Sequence, residues 1–153
     1  MTMVIEHDAA VDSRYDARAD SIVRQHHDSI FSFQELARLD EALTMSSRET
    51  GLRFTLYIGD LGKPTRVQAE EMHRRSGGDP AESVLIALSP GQRVVEVVTG
   101  AGAARRLPDR ACALAVLSMT GSFAAGDLVG GIVNGLRQLS DQAGHPPALR
   151  HPY

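Results

Sequence analysis

The chain has 153 residues and a net charge of −3, with 42% hydrophobic and 23% charged residues, which is the size of one domain and more apolar than a wholly disordered chain. At this length folding hides roughly 65–70% of the unfolded surface, enough for a core without disulfides or a structural metal, and the lone Cys112 makes no internal bridge. With no Trp, 5% aromatic residues and no basic block, a nucleic-acid partner is excluded as the main task, and no run approaches the ~20 apolar residues of a membrane span.

Residues 1–28 carry six acids against three arginines, so the whole net charge sits there and the remainder is neutral. This segment has few large apolar side chains and reads as a flexible acidic leader (1–28), followed by an ordered domain (29–143) and a flexible tail (144–153). No basic segment leading into an apolar one opens the chain. With a single cysteine, the expected location is cytoplasmic. Fifteen arginines stand against one lysine, Lys63, a bias that points to a GC-rich bacterial genome.

Ser32-Phe33-Gln34-Glu35 has the form of a capping box and opens a predicted helix to about Glu49, with Leu36, Leu39, Ala42, Leu43 and Met45 as its apolar stripe and Gly51 as its stop. Leu52–Ile58 alternates with period two and reads as a strand. After the loop 59–64, Thr65–Arg75 reads as an amphipathic helix with Val67, Ala69 and Met72 inward. Ser83–Leu88 is a continuously apolar strand of the kind covered on both faces. Ser89-Pro90-Gly91-Gln92 suits a type II turn, and the valine-rich stretch Arg93–Thr99 pairs back as a hairpin. Pro108-Asp109 opens a third helix, whose apolar run Ala111–Met119 predicts burial. After Thr120-Gly121 a last helix is expected from about Ala124 to Ala143. Its interior glycines each cost roughly 1 kcal/mol against alanine, so close approach to the sheet or to the third helix is expected in compensation. The order of elements gives an α/β sandwich around a small mixed sheet, with a parallel first crossover and an antiparallel hairpin.

Chemistry-bearing residues are few. Five of the six histidines lie in the leader and tail; His73 alone lies in the domain, on the polar side of its helix. Cys112 sits in the most apolar helix as a small hydrophobe. Gly100-Ala101-Gly102 follows a strand but lacks phosphate-loop spacing. The remaining set is carboxylates at element ends: Asp60 after the first strand, Asp109 at the start of the third helix and Asp127 in the first turn of the fourth. Each suits a helix start or loop on local grounds. Brought together at the carboxyl ends of the strands, they would instead supply oxygen ligands for Ca²⁺ or Mg²⁺.

The helix and strand Ser32–Ile58, the hairpin leading to Val98-Thr99-Gly100-Ala101-Gly102, Leu107-Pro108-Asp109 and Phe123-Ala124-Ala125-Gly126-Asp127 together resemble the TPM domain over Phe31 to about Gly144. More narrowly, Thr50–Phe54 is similar to the first strand of an actinobacterial family of unknown function built on that domain. The resemblance implies a three-layer α/β/α sandwich with an acidic groove, and for some members Ca²⁺ or Mg²⁺ binding and acid phosphatase activity. By position it selects Asp109 and Asp127, with Asp60, as metal ligands, and Asp109 and Asp127 as the catalytic candidates. The chain departs from the pattern where Ala103-Ala104-Arg105-Arg106 replaces an acidic position after the glycines, and where Leu128 replaces an aromatic. Arg105 and Arg106, beside Gly100 and Gly102, would then favour an anion in the groove.

Three readings follow. The first is a cytoplasmic, non-catalytic or weakly catalytic TPM-like binding or regulatory module. The second is a metal-assisted phosphomonoesterase in which Asp109 and Asp127 hold the cation. In the third, the leader and the arginine-bearing faces dock a protein partner.

Overall fold

The computed structural model describes residues 22–24, as backbone, and 31–146. Its elements in chain order are β1 (Ile22–Arg24), α1 (Phe33–Thr50), β2 (Arg53–Ile58), α2 (Thr65–Arg75), a single 3₁₀ turn (Pro80–Glu82), β3 (Ser83–Ser89), β4 (Val94–Thr99), the short α3 (Ala101–Ala104), α4 (Asp109–Ala124) and α5 (Leu128–Ala143). The sheet order is β1-β2-β3-β4. β1 runs parallel to β2 (Ile22↔Leu56) and β2 parallel to β3 (Arg53↔Ser83), while β4 returns antiparallel to β3 (Val84↔Thr99, Ser89↔Val94). The mixed sheet is therefore as expected. The addition is β1: residues 22–24 of the segment read as a flexible leader form its edge strand.

Alternation along the strands separates two cores. Phe54, Leu56 and Ile58 of β2, Val84, Ile86 and Leu88 of β3, and Val95 and Val97 of β4 face one side, where Leu39 and Leu43 of α1 meet Met119 of α4 and Ile132, Leu136 and Leu139 of α5. Tyr57, Leu85, Ala87 and Val98 face the other side and meet Leu61 and Ala69, the latter on α2. Helices on both faces of the sheet make three layers. All seven residues of β3 are buried, and each fully buried leucine contributes about 1.5–3 kcal/mol.

Local rules hold at several boundaries. The Ser32 Oγ accepts from Glu35 N at 3.0 Å and Glu35 Oε1 accepts from Ser32 N at 2.8 Å, and Gly51 closes α1 in the left-handed region at φ 78°. The glycines of α5 have the predicted compensation, because a β-carbon at Gly131 would come 2.7 Å from the Phe123 ring and one at Gly135 2.7 Å from Cγ and Sδ of Met119. Both neighbours belong to α4, so bare backbone lets the two helices close on each other.

Five expectations are corrected. The Ser89–Gln92 segment does not adopt a type II turn: among the described residues Gly91 is not one of the positive-φ glycines. Instead Arg93 N donates to Pro90 O (3.2 Å) and Arg93 itself takes φ 57°. α4 extends past Thr120-Gly121 to Ala124, and the break before α5 is Ala125-Gly126-Asp127. α4 is not buried all round. Cys112, Ala115, Val116 and Met119 face the core, while Leu114 and Leu117 are 57% and 68% exposed; a helix on the outer layer buries one stripe, and an all-apolar run does not reveal which. Val67 of α2 points to solvent, and so, in part, does Met45 of α1. His73 turns inward, with Nε2 3.1 Å from Ser83 O, because α2 lies close enough to the start of β3 for the imidazole to reach it.

Candidate functional site

The residues selected from sequence divide between the two ends of the sheet. At the carboxyl end of β2 and β3, Gly59 N donates to Leu88 O at 3.0 Å, and Asp60 follows, its carbonyl accepting from the Tyr57 hydroxyl at 2.7 Å. Gln92 stitches this loop to the hairpin turn: its Oε1 accepts from Leu61 N and Ser89 Oγ, both at 2.7 Å, and its Nε2 donates to Gly62 O at 2.9 Å. Asp127 is at this end as well. It is the N-cap of α5, with Oδ1 accepting from Gly130 N at 2.9 Å.

Gly100, Gly102, Arg105, Arg106 and Asp109 lie at the opposite end. β4 runs against β3, so its carboxyl end meets the amino end of β3, where Gly100 N donates to Ser83 O at 3.0 Å. The two glycines serve packing there: a β-carbon on Gly100 would overlap the Pro80 carbonyl oxygen, and one on Gly102 the Glu82 carboxylate. Arg106 is committed to the end of α5, donating to the carbonyls of Ala143, Gly144 and His145 at 2.9–3.2 Å. Arg105 is exposed.

Asp109 and Asp127 are separated by the whole of α4, whose sixteen residues span roughly 22 Å at 1.5 Å per residue. Oxygen ligands of one hard cation sit about 2.3–2.6 Å from it. Among the described residues, no three His, Cys, Asp or Glu side chains converge as metal ligands would. The described side chains, Asp60, Asp109 and Asp127 among them, therefore do not form a set that fits the Ca²⁺ or Mg²⁺ that the resemblance implies. Beside Asp109, burial pushes the Cys112 thiol above its usual value and the neighbouring carboxylate adds to the rise, which favours the protonated thiol over the nucleophilic thiolate.

The carboxyl end of β3 instead borders a cleft of about 580 Å³, within the range of small-ligand sites. Among the described residues it is lined by Leu88, Pro90, Phe123, Ala124, Gly126 and Leu128, with Arg93 and Thr120 as the polar residues. Phe123, Ala124 and Gly126 belong to the motif that resembles the TPM domain, whose aspartate, Asp127, here caps a helix. Arg93 and Thr120 were missed. The only trace of Arg93 was its place at the end of a hairpin turn.

A family model described as a domain of unknown function (DUF5130) matches residues 14–140. The chain belongs to this family. The DUF5130 chain is 39% identical over 110 residues to two uncharacterized proteins of Mycobacterium tuberculosis, Rv2468c of strain H37Rv and MT2543 of strain CDC 1551; the match covers 72% of this chain and 65% of theirs. The actinobacterial relationship expected from Thr50–Phe54 is thus present. In fold, the DUF5130 chain is similar to the solution structure of the N-terminal domain of a protein from P. gingivalis (TM-score 0.69, 19% identity, 81% of this chain and 83% of that one). It is also similar to the N-terminal domain of cg2496 from Corynebacterium glutamicum (TM-score 0.67, 11% identity, 88% and 90%). Among the described residues no helix is long and apolar enough to cross a membrane.

Proposed function

We propose that this DUF5130 chain is a TPM-like binding module, non-catalytic and cytoplasmic, whose site is the cleft between the carboxyl end of β3 and the α4–α5 turn. The observation that supports it is the cleft itself: about 580 Å³, where among the described residues the apolar side chains of Leu88, Pro90, Phe123 and Leu128 stand beside Arg93 and Thr120. It sits outside the carboxyl end of a parallel strand, where open α/β sheets place their ligands. In this reading the folded unit begins at the Ile22 strand rather than at residue 29, and a regulatory role follows from occupancy of the cleft, with any protein partner responding to it. The phosphomonoesterase reading has no comparable support, since its two aspartates stand at opposite ends of α4.

The test uses 1-octanol as an apolar probe, with binding read by saturation-transfer NMR. The intact chain is expected to bind it, and Ala124→Trp, which places an indole in the cleft from an exposed position on α4, is expected to abolish binding. Undiminished binding in that variant, or none in the parent chain, overturns the reading.

A further inference from the structure

Arg93 occupies the position in the β3–β4 hairpin where the chain takes φ 57°, and it is the one non-glycine residue with positive φ among those described. Glycine or asparagine meets that requirement with less strain, because a β-carbon crowds the backbone in the left-handed region. A strained residue retained in a turn directs attention to its side chain. The Arg93 side chain lines the cleft and, among the described residues, has no ion-pair partner: the ion pairs there are Arg66 with Glu70 and Glu96, and Arg74 and Arg75 with Glu71.

We infer that the cleft takes a small apolar monocarboxylic acid, with its hydrocarbon against Leu88, Phe123 and Leu128 and its carboxylate on the Arg93 guanidinium. This rests on the cleft being the binding site. Charge and shape choose the class. One guanidinium matches one carboxylate in a planar, two-point hydrogen-bonded pair. A phosphate monoester carries nearly two negative charges, and a single guanidinium would leave the second facing the side chains of Leu88, Phe123 and Leu128. The other polar residue among the described lining, Thr120, has its hydroxyl donating within its own helix, to Val116 O or Leu117 O, both at 3.0 Å.

The experiment compares octanoate with 1-octanol at neutral pH, in the parent chain and in Arg93→Gln. Octanoate is expected to bind about fivefold tighter than octanol in the parent, the size of one solvent-accessible ion pair, and the preference is expected to vanish in Arg93→Gln. Arg93→Gly serves as a second variant that relieves the backbone strain, so loss of preference in a protein that is at least as stable excludes misfolding as the cause. Equal binding of the two probes in the parent, or a preference unchanged in both variants, overturns the inference while leaving the cleft as a site. Failure of both probes to bind overturns the cleft and this inference together.

Discussion

Replacing Asp127 separates its two possible roles. As the N-cap of α5 it accepts from Gly130 N and places a negative charge at the positive end of the helix. Asp127→Ala removes both, costing about 1 kcal/mol for the cap and a further ~0.5 kcal/mol for the charge. Asp127→Asn keeps an equivalent acceptor and forfeits only the charge, so its cost is about 0.5 kcal/mol. The two variants should therefore differ by about 1 kcal/mol, or roughly 3–5 °C in Tm for a chain of this size. The assay is urea unfolding at constant m, with and without added Ca²⁺. A cation ligand gives another pattern: Asn is as harmful as Ala, and added Ca²⁺ stabilises the parent alone. Equal destabilisation by the two variants would refute the capping account.

Other substitutions probe the packing that displaced the expected groove. Gly100→Ala puts a β-carbon onto the Pro80 carbonyl and 2.7 Å from backbone atoms of Ala81, and should cost more than about 2 kcal/mol; Gly91→Ala, with nothing within 4 Å, should stay within ~0.5 kcal/mol. A comparable cost for the two in chemical denaturation would contradict the close approach. Arg106→Ala strips the guanidinium from three carbonyls at the end of α5 and should lose about 1–2 kcal/mol, with hydrogen exchange rising first in the last turn of that helix; unchanged exchange there would argue against the cap. Burial, and to a lesser degree Asp109, raise the Cys112 thiol above its ordinary value, so at pH 8 its thiolate is scarcer in the native than in the unfolded chain. Disulfide-exchange labelling should be slow in buffer and fast in urea, and equal rates would contradict the burial.

Sequence pattern located most elements because each boundary had a local cause: a capping box at Ser32, glycine at 51, prolines at 64 and 108, and a continuously apolar β3. What local pattern did not carry was which end of the sheet each loop occupies. Gly100–Arg106 and Asp60 both follow strands, but the hairpin reverses β4, and the two loops end at opposite ends. Asp109 and Asp127 follow one another in the motif order, but α4 stands between them and carries them to its two ends. The leader's strand escaped notice because three residues of ordinary composition are too few for a period, and parallel pairing with β2 is a nonlocal event. Arg93 was invisible for a related reason: its φ is set by the turn geometry that joins β3 to β4 rather than by its neighbours' identities. Motif residues Phe123–Gly126 were legible as a unit, while their role as cleft wall depended on Leu88 and Leu128 being brought against them.

Amide chemical-shift mapping of the intact chain with 1-octanol tests the central claim most directly. Shifts concentrated at Leu88–Arg93 and Thr120–Leu128, on both sides of the cleft, are the expected result. Shifts centred instead on the smaller groove between α1 and α5, at Arg38, Glu49 and Arg137, or spread evenly over exposed Phe33, Val67 and Leu114, would contradict the assignment of the cleft as the binding site.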